Sequence, residues 1–327
     1  MPIFDFLILA FGLFLLWGGA EYMVKYASLL AQSMGISPLI IGLTVVSLGT
    51  SFPELLVSTM AAFQEKPGIS IGNIIGSNIA NIGLILGVGA IIFPLEIKAN
   101  WVRREVPFMI IVTAIFIAMA YGDSQISQIE GVVLIALLIV FVLYLAKYTL
   151  REMNEFQELL ELRERAGETI DAPDRVQRWK YLGMSLVGTV ILLIGSQITV
   201  DSATKLARTL GVAESTIGLT LIAFGTSLPE LATTIVSALR KEVDLAVGNV
   251  IGSNIFNLTL VGGAAAIISP LPALSDGVAI SIEFALLASL SLIIWPMMRW
   301  RWNIQRVEGM ALLIFYLCFI IFTTVNM

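Results

Sequence analysis

Two acids set in apolar sequence are the residues of this chain best placed to do chemistry. Glu54 closes the run Gly49-Thr50-Ser51-Phe52-Pro53-Glu54, and Glu230 closes Gly225-Thr226-Ser227-Leu228-Pro229-Glu230, 176 positions later. A carboxylate at membrane depth is costly and persists where it pairs with something or moves something. Ser47, Thr50, Ser51 and Glu54 are spaced by three, one and three, which keeps them near one helical face. Asn73, Ser77 and Asn81 follow at four-residue steps, and the second copy supplies Thr226, Ser227, Glu230, Asn249, Ser253 and Asn257. Gathered together, these are two carboxylates among hydroxyl, amide and carbonyl oxygens. The chain has no histidine and one cysteine, Cys318, which reads as a packing residue. An oxygen-only set suits a hard cation such as Ca²⁺ or Na⁺ and argues against a zinc or haem site.

Each motif also carries the means to open its helix. Pro53 and Pro229 cannot donate to the carbonyls of Gly49 and Gly225, so each span should divide into two half-helices with proline at the start of the second. Unwound backbone survives in a membrane only where protein buries it or it lines a cavity. Left bare, the neighbouring acids would repel in a poor dielectric, and a proton or a cation has to relieve them. One Ca²⁺ or two Na⁺ would balance the pair.

The rest of the chain must position these groups. Of 327 residues, 57% are hydrophobic and 13% charged, and long apolar stretches recur throughout without strand-like alternation. The chain therefore reads as an all-α polytopic membrane protein. Ten spans are predicted, at 4–24, 38–63, 69–93, 105–121, 129–147, 181–202, 214–239, 244–268, 277–296 and 306–325. The start, Met1-Pro2-Ile3-Phe4-Asp5, lacks the basic region of a signal peptide, so the first span is read as retained. The Glu- and Arg-rich connection 148–180 is expected to be a solvated cytoplasmic linker with some helix. With both termini external, all of the 19 basic residues except Lys66, Lys205 and Arg208 face the cytoplasm, as the positive-inside bias prefers. The inner set includes Lys25, Lys98, Arg103, Arg104, Arg240, Lys241, Arg299, Arg301 and Arg306.

The 176-residue shift extends well beyond the motifs. Gly12 matches Gly188, Gly19 matches Gly195, Gly35 matches Gly211, and Ile41-Gly42-Leu43-Thr44 matches Ile217-Gly218-Leu219-Thr220. The stretch from Gly72 to Asn81 matches that from Gly248 to Asn257, and Pro94 matches Pro270. Five spans per half is an odd number, so the halves should thread the membrane in opposite senses, as inverted-topology repeats do. The expected organisation is a first five-helix repeat at 1–147, the linker at 148–180 and a second repeat at 181–327.

Other roles compete for some of these residues. Buried Ser, Thr and Asn also join helices, and the residues alone leave Asn73, Asn78, Asn249 and Asn254 divided between that role and ligation. Glu21, Glu105, Glu130, Glu283 and Glu308 lie nearer span ends and read as interfacial. Gly18, Gly19 and Gly195 suit either close packing or sliding of the first span of each half. Trp295, Trp300 and Trp302, with Arg299 and Arg301, read as an interfacial anchor.

At its two motifs the chain resembles the calcium/cation antiporter superfamily, and most of all the bacterial and archaeal calcium/sodium antiporters. The resemblance covers nearly the whole chain and is tightest at 42–94 and 218–270, which match that family's two α-repeats. It implies ten helices in two inverted halves, with Glu54 and Glu230 as shared Ca²⁺ and Na⁺ ligands. Thr50, Ser51, Ser77, Thr226, Ser227 and Ser253 match positions that complete neighbouring Na⁺ sites. Backbone carbonyls of Ser47 and Ala223 match further ligands, and Asn81 and Asn257 match the remaining polar pair. Some relatives carry Asp at one of those two positions; both are Asn here. The resemblance implies an electrogenic exporter of Ca²⁺ in exchange for Na⁺ in the cell membrane, with no cofactor and no obligate protein partner. The linker is too short for the Ca²⁺-sensing domains of animal exchangers. The residues leave open a calcium/proton antiporter on the same scaffold and, more remotely, a Na⁺-coupled symporter of a small solute. An intramembrane enzyme would need a positioned nucleophile and a cleft, which the motifs do not offer.

Overall fold

The computed structural model describes residues 2–97, 99–165, 175–211, 223–272 and 278–326. They are mostly helical: α1 Pro2–Met34, α2 Pro38–Thr50, α3 Phe52–Phe63, α4 Pro67–Ile92, α5 Ala99–Gly122, α6 Gln128–Arg165, α7 Arg175–Thr209, α8 Leu228–Leu239, α9 Val243–Ile268, α10 Val278–Arg301 and α11 Arg306–Asn326. Eight helices are long and apolar enough to cross a membrane, or nine spans if the bent pair α2 and α3 counts as one. This is a multi-span membrane protein. The first part of the predicted span 214–239, with Gly218, Leu219 and Thr220, lies outside the described residues, as does Lys98.

Several helices overrun the predicted spans. α6 has 38 residues, and at 1.5 Å per residue it reaches about 57 Å, well past a hydrocarbon core of ~30 Å. The helix expected in the connection 148–180 is extensive, since α6 and α7 both continue into it; residues 166–174 lie outside the described set. The α6 extension is also docked. Glu152 Oε2 accepts the backbone N–H of Ser37 at 2.9 Å, and Phe156 lies against Gly35 in the turn between α1 and α2.

Local chemistry explains the helix starts. Pro38 and Pro67 stand in the first turns of α2 and α4, where a missing N–H costs nothing. α6 opens with a capping box: Glu130 Oε2 accepts from Ser127 N at 2.8 Å, and Glu130 N donates to Ser127 Oγ at 3.3 Å. Glu308 does the same at the start of α11, accepting from Gln305 N at 2.7 Å. These two acids, read as interfacial, have specific work as caps.

Packing links the two halves reciprocally. α1 lies along α7, and the backbones touch at glycine. A Cβ on Gly19 would strike the backbone of Leu192, and one on Gly195 would strike that of Leu16. Nothing lies within 4 Å of the same point at Gly18. The last helix of each half is traded for its counterpart: α11 packs on the end of α4, with Gly309 against the Gly87 carbonyl, and α6 packs on the end of α9, with Gly131 against the Gly263 carbonyl. Two short antiparallel pairings repeat the exchange. β1 (Leu95–Glu96) pairs with β4 (Asn303–Ile304), and β2 (Gln125–Ile126) pairs with β3 (Leu271–Pro272). α4 and α9 run through the middle, each with 78% of its span window buried, against 22% for α11.

Candidate cation site

Both acids stand at helix starts created by the breaks. α2 ends at Thr50, and Ser51 leaves helical geometry at φ −80°, ψ 7°. Pro53 then opens α3, and the two helices meet at a bend of 45°. In the second copy Ser227 takes φ −89°, ψ 5°, and Pro229 opens α8. Glu54 and Glu230 thus each occupy the first turn of a helix, where exposed amides favour negative charge. Both are 1% exposed.

The two acids converge through each other's motifs. Ser227 Oγ donates to Glu54 Oε1 at 3.2 Å, and Ser51 Oγ donates to Glu230 Oε1 at 3.1 Å. Since each serine precedes its own acid by three residues, the four side chains close a ring across the two halves. The Thr226 hydroxyl also faces Glu54, and those of Thr50 and Ser253 face Glu230. Beyond them, Thr50 Oγ1 lies 3.1 Å from Asn249 Oδ1, and Thr226 Oγ1 lies 3.4 Å from Asn73 Oδ1. The serine–acid and threonine–asparagine contacts of one half are matched in the other at positions 176 apart.

What these groups leave unpaired is informative. Glu54 Oε2, Glu230 Oε2, Asn81 Oδ1, Ser253 Oγ and both polar atoms of Asn257 are buried without a hydrogen-bond partner. Each such atom costs about 1–3 kcal/mol; the open carboxylate oxygens, with the Ser253 hydroxyl facing Glu230, mark where a ligand would complete the set. Nearly all are acceptors, which suits a cation.

The remaining predicted residues fall as follows. Ser77 is buried and donates to the Asn73 carbonyl at 2.7 Å. Asn81 Nδ2 donates to Asn254 Oδ1 at 3.1 Å, bridging the halves and leaving its own oxygen open. The Ser47 carbonyl accepts from Ser51 N at 2.9 Å and lies 3.3 Å from Thr50 Oγ1. Ala223 opens the short turn Ala223–Gly225 ahead of α8. The described residues contain no group of three or more Asp, Glu, His or Cys able to hold a metal, so oxygens other than carboxylate dominate the set.

Two features escaped the sequence reading. Asn81 and Asn257 each begin a π-helical turn, Asn81–Leu86 and Asn257–Val261. A π turn shifts the residues after it around the helix axis and often marks a functional site. Only the duplicated asparagine signals it in the sequence. The second feature is a pair of supporting hydroxyls. Ser58 accepts from Asn73 Nδ2 at 2.9 Å, and Thr234 lies 3.5 Å from Asn249 Nδ2. Ser58 and Thr234 are themselves 176 apart, a match visible only once the asparagines are known to need partners.

Comparison with known proteins identifies the family. The family model described as sodium/calcium exchanger protein matches residues 4–147 and 180–325. The inner membrane protein YrbG of Escherichia coli is 38% identical over 307 residues, covering 94% of this chain and 92% of that one. The sodium/calcium exchanger MaX1 of Methanosarcina acetivorans is 32% identical over 346 residues, covering 97% of each. Among solved structures, the sodium-calcium exchanger NCX_Mj soaked with 10 mM Na⁺ and 10 mM Sr²⁺ superimposes with a TM-score of 0.81 at 31% identity, covering 97% of this chain and 98% of that one. A broken-helix core, two converging acids and family matches spanning both halves lead to one assignment: the chain belongs to the sodium/calcium exchanger family.

Proposed function

We propose that the protein is an electrogenic antiporter that exports Ca²⁺ in exchange for Na⁺ by alternating access. The observation that carries this reading is the set of Glu54, Ser227, Glu230 and Ser51, buried, cross-bonded between the halves, and with one oxygen of each carboxylate unpaired. Glu54 and Glu230 are the shared ligands for either ion. Thr50, Ser51, Ser77, Asn81, Thr226, Ser227, Ser253 and Asn257, with the Ser47 and Ala223 carbonyls, complete the sites. Occupancy by one ion excludes the other, which is the minimal requirement for exchange. Net movement of one charge contributes about 2.3 kcal/mol per 100 mV, so the membrane potential assists export if three Na⁺ exchange for one Ca²⁺.

The architecture we propose is ten spans in two inverted repeats, 1–147 and 181–327, joined by 148–180 and with both termini external. The reciprocal contacts at matching positions of the two halves support the repeats. The charge bias of the predicted loops supports the orientation.

The test is ⁴⁵Ca²⁺ uptake into everted membrane vesicles, driven separately by a Na⁺ gradient and by a pH gradient, with Glu54→Gln alongside the intact protein. Na⁺-driven uptake that disappears in the variant is the expected result. Uptake that follows the pH gradient alone makes the protein a calcium/proton antiporter, and full Na⁺-driven uptake in the variant overturns the mechanism.

A further inference from the structure

We infer that Asn73 and Asn249 are positioning residues that set the direction of the Thr226 and Thr50 hydroxyls, so that each threonine meets a cation with lone pairs rather than with its proton. This rests on the cation reading of the site proposed above.

The argument begins with hydrogen-bond direction. Asn73 Nδ2 lies 3.3 Å from the Glu54 carbonyl and 2.9 Å from Ser58 Oγ. A carbonyl can only accept, so the amide must present its NH₂ there and turn Oδ1 the other way. Oδ1 then faces Thr226 Oγ1 at 3.4 Å. An amide oxygen carries no proton, so the bond forms only if Thr226 donates. A hydroxyl has one hydrogen and two lone pairs. On this assignment of the hydrogen to Asn73, Thr226 keeps its lone pairs for a cation beside the Glu54 carboxylate.

The second half repeats the logic. Asn249, fully buried, takes Thr50 on Oδ1 at 3.1 Å and turns Nδ2 toward Thr234 Oγ1 at 3.5 Å. The Ser47 carbonyl, a second acceptor near Thr50, is farther away at 3.3 Å. In both halves the strongest remaining acceptor for the threonine proton would be the adjacent carboxylate. A hydroxyl that turned to it would point hydrogen into the space where a cation belongs. Each asparagine also acts across the molecule, since Asn73 belongs to the first half and directs a hydroxyl of the second, and Asn249 does the reverse. Simple helix–helix adhesion would not require this polarity.

The experiment is a double-mutant cycle on the purified full-length protein in proteoliposomes. Half-saturating Na⁺ and Ca²⁺ concentrations are measured for Asn73→Ala, Thr226→Val and the double variant. Removing one directing hydrogen bond should shift the curve of the same ion in both single variants by about three- to tenfold. The double variant should shift no further than the larger single. Ser58→Ala, which loosens Asn73 without touching Thr226, should shift the same curve in the same direction by less. Shifts that multiply in the double variant overturn the inference, as does an Asn73→Ala that lowers only the maximal rate with both curves in place. If Asn73→Ala fails to accumulate, the cycle of Ser58→Ala with Thr226→Val puts the same question. Glu54→Gln separates the two levels: exchange that survives it removes the site itself, whereas multiplicative shifts beside a dead Glu54→Gln remove only the role of the asparagines.

Discussion

The turn that follows α1 and the turn that follows α7 hold matching positions, and the two are treated differently. Gly35 and Gly211 both adopt positive φ, at +68° and +79°. Gly35 is covered by Phe156, and two residues on Ser37 gives its N–H to Glu152. Among the described residues, nothing lies within 4 Å of where a Cβ on Gly211 would stand. At the centre, by contrast, four bonds come in matched pairs: Ser51 to Glu230 answers Ser227 to Glu54, and Thr50 to Asn249 answers Thr226 to Asn73. The contrast separates two demands. Under the proposed function, a cation between the halves takes oxygens from both, which would keep these four bonds in pairs. The margin has no such ligand, and there the α6 extension clamps one turn and has no described counterpart at the other.

The largest effect should come from testing the centre. Glu54→Gln and Glu230→Gln each leave a buried acid without its opposite number and should each lower Na⁺-driven Ca²⁺ flux by about 100-fold or more. A tenfold gap between them would show that the central pairing conceals unequal halves. Next in size is the α1–α7 contact. Gly19→Val and Gly195→Val push side chains into facing backbone and should each cost about 1–3 kcal/mol, read as a lowered melting temperature in detergent. Gly18→Val, with open space before it, should melt like the parent.

The margin gives smaller and unequal effects. Gly35→Ala and Gly211→Ala both place a Cβ on left-handed backbone, at about 1 kcal/mol each. Gly35→Ala should lose more because it also meets Phe156, and Phe156→Ala should restore that excess without helping Gly211→Ala. Equal losses would deny the clamp. The smallest effect is expected of Glu152→Ala, about 1 kcal/mol or less, since it removes one half-buried cap. Hydrogen exchange should register it as faster exchange at Ser37, with the amides of α8 unchanged.

Much of this was legible in the sequence because the chain states it twice. Glu54 and Glu230 stood out through the cost of a carboxylate in apolar surroundings, and Pro53 and Pro229 placed the breaks within two residues of where they fall, at Ser51 and Ser227. The partners of those acids were legible for the same reason: a shift of 176 pairs Ser51 with Ser227 and Thr50 with Thr226. The extent of the helices was less visible. Hydropathy ends where polar residues begin, but Glu and Arg are good helix formers, so α6 continues to Arg165 through sequence that reads as linker. The roles of Asn73 and Asn249 were undecided because an amide that glues and an amide that directs look alike until donors and acceptors are assigned. Ser58 and Thr234 gave no signal at all, since an isolated hydroxyl in a span is ordinary.

The traded end helices bear on how the molecule is made. α4 presents its glycine face at Gly87 early in synthesis, yet the helix that covers it, α11, emerges near the other end of the chain. The first half of the chain, through α6, therefore leaves the insertion machinery with the α4 flank still uncovered. Cutting the chain within 166–174 should give two pieces that are each unstable alone and recover when produced together, because each carries the seal the other lacks.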